Sequence, residues 1–257
     1  MIPEVIHYCW FGGSPLPPKF REYISSWKKF CPGYEIREWN ETNFDVTENR
    51  YCREAYEAGE WAFVSDYARL KIMYDNGGVY LDTDVEMIRD ITPLLCGGFG
   101  FIGFQNSLEV NTGLGFAAPQ YCGAVKAMLD IYENRRFVLP DGTYGRTPCP
   151  SANTLGLMKC GLRTGEPRCR DIQTVDGMKV YPSEYFNPLD YDTHTLTVTT
   201  DTYLIHHYSS SWMNGRQKLK RKFKHLVPHS VLRRHTLRVA QKNLERMKSE
   251  NGKDGGR

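Results

Sequence analysis

The apolar run Val5-Ile6-His7-Tyr8-Cys9-Trp10-Phe11 stops at Gly12-Gly13 and predicts a buried strand ending in a glycine turn. Pro17-Pro18 then opens a helix, because proline suits a first helical turn. Phe20, Ile24, Trp27 and Cys31 recur at helical spacing and mark its core face. Pro32-Gly33 ends it, and the alternation in Tyr34-Glu35-Ile36-Arg37-Glu38-Trp39 predicts a second strand. A strand–helix–strand opening points to an α/β domain with a mostly parallel sheet. Another helix is expected from Glu48 to Ala58, closed by Gly59.

Phe63 to Asp90 reads as helix, turn, strand and acidic tip. Ala68, Leu70, Ile72 and Met73 sit among polar residues, with Ser65 or Asp66 as the expected N-cap. Asn76-Gly77-Gly78 stops the helix, since glycine adopts a left-handed conformation without steric cost. Val79-Tyr80-Leu81 then reads as a short buried strand ending in Asp82-Thr83-Asp84. Residues i and i+2 of an extended segment point to one side. Two carboxylates so placed repel each other unless a cation lies between them. Oxygen ligands suit Mg²⁺ or Mn²⁺, which take further ligands from substrate phosphates. A lone DxD is weak, and its plain reading is a solvated acidic turn. The preceding glycine break and buried strand favour a metal–phosphate site at a strand's carboxyl end.

Further on, Asn111 to Pro119 is expected to form a strand and loop near the site, Cys122 to Tyr132 a helix, and Pro140 to Ala152 a loop. Val180-Tyr181-Pro182 and Leu196 to Thr200 are strand-like. Tyr203-Leu204-Ile205-His206-His207-Tyr208 carries two adjacent histidines into Ser209-Ser210-Ser211-Trp212. Neighbours on a strand face opposite ways, so one of His206 and His207 faces any given site. Histidine can ligate a metal, and hydroxyl and indole donors suit phosphate oxygens. Packing at a core edge is the plain alternative for these residues, as it is for Trp10 before its glycine turn.

Composition changes the picture little until the end of the chain. The 257 residues are 40% hydrophobic, 13% aromatic and 25% charged, an ordinary globular mix for a single domain with a sizeable core. The net charge is +3. Twelve basic residues and one acidic residue lie between Arg216 and Lys248, so that segment carries +11 and the remainder −8. Leu237, Ala240, Leu244 and Met247 recur there at helical spacing, so a basic amphipathic helix is expected, with an anionic membrane surface as one candidate partner and nucleic acid a weaker one. None of the eight cysteines forms a CxxC pair, which leaves a zinc ribbon or redox motif unsupported. The start lacks the pattern of a secretory signal, so reduced thiols and a cytoplasmic location are expected. No run approaches the length of a membrane span.

SDYARLKIMYDNGGVYLDTDV closely resembles the DxD-containing sugar-binding region of glycosyltransferase family 32. It is also similar to the catalytic domains of the clostridial glucosylating toxins. IHYCWFGG, PGYEIREW and IHHYSSSW fit in the same order, and the resemblance runs over residues 1–215. It implies a GT-A fold, a Rossmann-like α/β domain with a mostly parallel central sheet. It also implies retaining transfer from a nucleotide sugar with Mn²⁺ or Mg²⁺. Position by position, Trp10 would stack on the base, Asp66 and Arg69 would hold the sugar, and Tyr80 would line the pocket. Asp82 would reach the ribose or sugar and the metal, Asp84 would bind the metal directly, and His207 would be a third ligand. Ser210 or Ser211 and Trp212 would contact the diphosphate, with Asn111 and Asn153 as weaker sugar contacts. Asp82, Asp84 and Arg69 are the catalytic candidates. A UDP-sugar is the first donor expected and GDP-mannose the second, with a glycan or lipid-linked acceptor in bacterial surface or capsular polysaccharide assembly. The expected organisation is a catalytic domain at 1–215, a basic helical extension at 216–250 and a disordered tail at 251–257. Two rivals remain. One is a haloacid-dehalogenase-like phosphohydrolase using VYLDTDV with Asp82 as nucleophile. The other is a non-catalytic nucleotide-sugar or glycan-binding module.

Overall fold

The computed structural model describes residues 1–209 and 227–254. The opening unit is β1 (Val5–Cys9), α1 (Pro18–Phe30) and β2 (Glu35–Trp39). β1 and β2 pair in parallel from Val5↔Glu35 to Cys9↔Trp39. α1 buries Phe20, Tyr23 and Trp27, as its apolar spacing requires. α2 (Arg50–Glu57) is capped by Asn49, whose side chain accepts from the Tyr51 and Cys52 amides.

α3 (Trp61–Asn76) starts four residues before the expected cap. Ser65 and Asp66 are therefore inside the helix, and the Ser65 hydroxyl bonds back to the Trp61 carbonyl at 3.0 Å. Gly77, at φ 66°, ends the helix and turns the chain into β3 (Gly78–Tyr80). β4 (Val85–Met87) and β5 (Gly100–Gly103) follow, then β6 (Phe116–Ala118), α4 (Gly123–Asp130) and α5 (Cys149–Lys159). α5 begins inside the span expected to be loop. Pro148 and Pro150 sit at its start, where proline belongs in a helix. β7 (Gln173–Val175), β8 (Met178–Tyr181), β9 (Leu204–His206) and α6 (His229–Asp254) complete the order.

The central sheet runs β2-β1-β3-β6-β5-β8-β7. β2, β1, β3, β5 and β8 point one way, and β6 and β7 run against them. The α/β architecture with a mostly parallel sheet and flanking helices is as expected. Side chains alternate along the strands into two cores. One, with Tyr51, Val64, Leu70, Met73, Val125 and Leu157, lies under α2 to α5. The other, with Trp27, Val79, Leu81, Met87 and Leu204, lies under α1 and the pair β4–β9.

Two strand expectations change. Leu204-Ile205-His206 does not join the main sheet; it pairs antiparallel with β4 in a two-stranded sheet of its own. Leu196 to Thr200 builds no ladder, and Leu196 makes only an isolated bridge with Leu189. α6 carries Arg233, Arg234, Arg238, Lys242, Arg246 and Lys248. Its apolar stripe is used within the fold: Ala240, Leu244 and Met247 are buried and the helix packs against α5. The helix continues to Asp254, past the expected boundary at 250; residues 216–226 lie outside the described residues. No helix among the described residues is long and apolar enough to cross a membrane.

Candidate functional site

β3 carries Tyr80 and leads into Leu81, Asp82 and a turn closed by the Val85 amide donating to the Asp82 carbonyl at 3.0 Å. That turn feeds β4, and the pairing Val85↔His206 brings β9 alongside. Asp82, Asp84 and His206 consequently converge, with one ligand atom from each within 4.8 Å of the others. His206 Nε2 lies 3.1 Å from Asp84 Oδ1. The Ser209 amide donates to Asp84 Oδ2 at 2.7 Å.

The histidine beside the aspartates is His206, not His207 as expected. Strand alternation is the reason: His207 faces the other way, stacks on Tyr23 with ring centroids 4.4 Å apart, and pairs through Nε2 with Glu86 at 2.8 Å. Only its backbone touches the cluster, its amide donating to the Asp84 carbonyl at 3.0 Å.

α3 supplies the cation. Asp66 and Arg69 are one helical turn apart, so both reach the strand end from one face. Arg69 Nη2 pairs with Asp66 Oδ1 at 3.1 Å and Asp82 Oδ1 at 3.3 Å. Its Nε donates to the Ser65 carbonyl at 3.0 Å, and the guanidinium lies over the Tyr80 ring. The Tyr80 hydroxyl donates to Asp82 Oδ1 at 3.0 Å.

A third segment closes the floor. Asn111 caps the single turn Thr112–Leu114 before β6, and its Oδ1 accepts from the Gly113 amide at 2.7 Å. Its Nδ2 donates to Gln105 at 3.0 Å, so this amide is largely engaged within the protein. Gly113 runs so close to the cluster that a Cβ there would sit 2.7 Å from Asp82 Oδ2. Cys149, at the start of α5, lies 3.9 Å from Arg69 Nη1 and 3.7 Å from Asn111 Oδ1. Asn153 donates to the Thr112 hydroxyl at 2.8 Å. Gly113 lies in the stretch expected near the site but is not itself a candidate from sequence, and Cys149 carries no local signal, since the start of α5 brings it in.

Trp10 stands at the end of β1, half-buried, edge-on to Phe20 and donating to the Ser14 carbonyl at 2.6 Å. Ser210, Ser211 and Trp212 lie outside the described residues.

Burial and charge compete here. Burial raises the Asp66 carboxyl to about 6, against the pull of Arg69. Burial also raises Asp82, with Arg69 opposing and the Asp84 charge adding to the rise. Asp84 goes the other way: burial would raise it, but His206 and the Ser209 amide hold it well below the carboxylate range. Burial works against a charged His206, yet the Asp84 carboxylate outweighs it and the imidazole is raised. Three carboxylates thus face one guanidinium and one imidazole, an excess of negative charge in a mostly buried site.

That donor set fits a divalent ion. Two carboxylates and an imidazole could hold a divalent metal ion. His206 Nδ1 is buried without a hydrogen-bond partner among the described residues, so no second contact fixes the ring's present tautomer.

The chain is similar to several known proteins. Residues 17–98 match the family described as "Glycosyltransferase sugar-binding region containing DXD motif". An uncharacterized glycosyltransferase of Acanthamoeba polyphaga mimivirus is 24% identical over 221 residues, covering 82% of this chain and 84% of that protein. Inositol phosphoceramide mannosyltransferase 3 of Schizosaccharomyces pombe is 31% identical over 98 residues, covering 37% of this chain and 27% of that protein. Among solved structures, the PaToxG glycosyltransferase is similar with a TM-score of 0.46 and 16% identity, covering 62% of this chain and 69% of that one.

Proposed function

We propose that this chain, a glycosyltransferase with the DXD-containing sugar-binding region, uses a divalent ion to move a sugar from a nucleotide sugar to a glycan or lipid-linked acceptor. The observation that carries the reading is the convergence of Asp82, Asp84 and His206 at the carboxyl end of β3. Such an ion, when bound, neutralises the charge that develops on a diphosphate leaving group. Asp84 and His206, with Asp82, are the residues that would hold it. Arg69 fixes the Asp82 carboxylate and is itself fixed by Asp66 and the Ser65 carbonyl, so the acidic pair is positioned before substrate arrives. Asp66 and Arg69 are the groups for sugar hydroxyls, and burial of both keeps water from competing. Trp10, just past the carboxyl end of β1 and so on the same side of the sheet as the end of the neighbouring β3, is the proposed stacking face for the base, which favours a UDP-sugar over GDP-mannose through the family resemblance. We also propose retention at the anomeric carbon and a role in bacterial surface polysaccharide assembly. The phosphohydrolase alternative needs a free nucleophile at Asp82, whose Oδ1 is engaged by Tyr80 and Arg69.

We further propose that α6 meets an anionic membrane surface through electrostatics alone. Arg233, Arg234, Arg238 and Lys242 are exposed, but the apolar stripe is occupied by α5. Sedimentation with anionic vesicles at low salt tests this, and absence of binding removes the idea.

The main test is nucleotide release from a panel of UDP- and GDP-sugars with Mn²⁺ and with chelator. Asp84→Ala and His206→Ala are expected to lose about 100-fold or more, as removal of a charge-stabilising group typically does. His207→Ala is expected to stay near wild type. Turnover indifferent to metal, or calorimetry showing that no nucleotide sugar binds, would reject the reading.

A further inference from the structure

Behind Asp66 lies a polar cluster that the proposed transfer does not use. Tyr51 of α2 and Tyr132, in the turn after α4, are both 0% exposed, and their rings meet edge-on at 5.1 Å. The Arg135 guanidinium lies over both, 4.8 Å from one ring centroid and 4.9 Å from the other. The Tyr51 hydroxyl, the Tyr132 hydroxyl and Arg135 Nη1 are all buried without a hydrogen-bond partner among the described residues. Arg135 Nη2 makes one long contact, 3.5 Å to the Thr147 carbonyl. Among the described residues no carboxylate lies within ion-pair distance of this guanidinium, although fifteen other pairs form.

Three donors with nothing to donate to, one of them charged, are costly in a protein interior. The fold nonetheless holds them firmly. Glu54, one turn after Tyr51 on α2, accepts the Phe137 and Val138 amides at 2.8 and 2.9 Å and so fixes the segment just after Arg135. Asp66 acts electrostatically on all three groups, although it is already committed to Arg69, and the exposed Glu250 also acts on Arg135. Tyr67, next to Asp66 on α3, packs on Tyr132 with ring centroids 6.1 Å apart. The cluster therefore packs against the helix that carries the sugar-holding pair, has no carboxylate in contact with its guanidinium among the described residues, and offers hydrogen atoms without lone pairs to receive them. A carboxylate supplies what is missing: one charge and acceptor oxygens matched to a guanidinium.

We propose that Arg135, Tyr51 and Tyr132 form a carboxylate subsite next to Asp66, and that a substrate sugar of this enzyme is a hexuronic acid. This rests on the nucleotide-sugar reading above. The carboxylate can belong to the donor sugar or to the acceptor's terminal residue, and the experiment separates these sources.

Calorimetry with Mn²⁺ is run on the full chain with a nucleotide hexuronate, the nucleotide hexose of the same base, and free glucuronate and galacturonate. The proteins are wild type, Arg135→Gln and Tyr132→Phe, with thermal unfolding checked for each. If the donor carries the acid, the hexuronate donor binds wild type about tenfold or more tightly than the hexose donor, as one charge-assisted contact gives. Arg135→Gln removes that preference while hexose-donor binding stays within about twofold. Tyr132→Phe, which keeps the ring, weakens it in the same direction. If the acceptor carries the acid, free hexuronate binds only after nucleoside diphosphate is present, and Arg135→Gln abolishes that binding. Equal affinity for both donors together with no binding of free hexuronate overturns the proposal and leaves a hydrated structural cluster. Binding of the hexose donor in that case would leave the glycosyltransferase reading intact, whereas failure of every nucleotide to bind would fall on that reading instead.

Discussion

His7 gives the sharpest test of the packing beneath the site. The Trp39 indole can only donate, and it donates to His7 Nδ1 at 3.0 Å. The ring proton must then be on Nε2, where it is donated to the Gly77 carbonyl at 3.0 Å, tying β1 to the end of α3. A second proton would oppose the indole N–H in a site only 1% exposed. Burial, helped by the Arg37 charge and opposed by the Gly77 bond, lowers the imidazole from 6.5 to about 4. Between these values the unfolded chain binds more protons than the folded chain, so stability rises with pH and falls on acidification. At about 1.4 kcal/mol per unit, the full span is about 3 kcal/mol, and the part lost between pH 7 and pH 5 is about 2 kcal/mol. Urea unfolding at pH 7, 6 and 5 measures it in wild type and His7→Gln. Carboxylates titrate in both proteins and cancel in the difference. The variant is expected to be less stable at pH 7 but flatter, with the gap closing by about 2 kcal/mol at pH 5. Parallel pH curves would show that His7 is not held neutral by this packing.

Two glycines carry further predictions. Gly113→Ala places a methyl 2.7 Å from Asp82 Oδ2 and 3.2 Å from Arg69 Nη1, so the site shifts while the cores do not. Donor hydrolysis should fall by about 100-fold with little change in melting temperature, the usual result of a misplacement near 1 Å; activity within a few-fold of wild type would refute it. Gly156→Ala adds a better helix former to α5, but its Cβ would lie 2.6 Å from the Met128 Cα of α4. Overpacking at about 1–3 kcal/mol should exceed the propensity gain of about 1 kcal/mol, so chemical denaturation should show a net loss, and a gain would mean that α4 and α5 are not so close.

What was legible in the chain follows physical lines. β1, α1 and β2 declared themselves by different signals: β1 is a continuous apolar run buried almost throughout, α1 buries one helical stripe, and β2 alternates in sequence although its residues are mostly half-buried. The start of α3 did not. Glu60 gives no side-chain cap, and the expected cap residues Ser65 and Asp66 serve the helix interior and the site instead. α5 is buried on every side from Cys149 to Leu157, so no polar face marks its period, and the proline pair at its start was the one signal present. The apolar stripe of α6 was visible, but periodicity cannot say whether a partner helix or a lipid surface covers it; here α5 does.

The site itself was half legible for the same reason. The i, i+2 spacing pointed to Asp82 and Asp84 together, although they converge through the turn between β3 and β4 rather than along an extended strand, and Asp66 and Arg69 came from the family resemblance. Choosing between His206 and His207 requires the register of β9 on β4, which is tertiary information. A slip of one residue in a strand pair sends every side chain to the opposite face. Such a slip would turn His207 to the aspartates and His206 to Tyr23 and Glu86. The contrast between His206→Ala and His207→Ala therefore examines the strand pairing and the chemistry together. Loss confined to His206→Ala supports Val85↔His206 and the ligand set at once. Loss confined to His207→Ala would mean that the two-stranded sheet pairs one residue out of step, and the assignment of Asp84's partner would change with it.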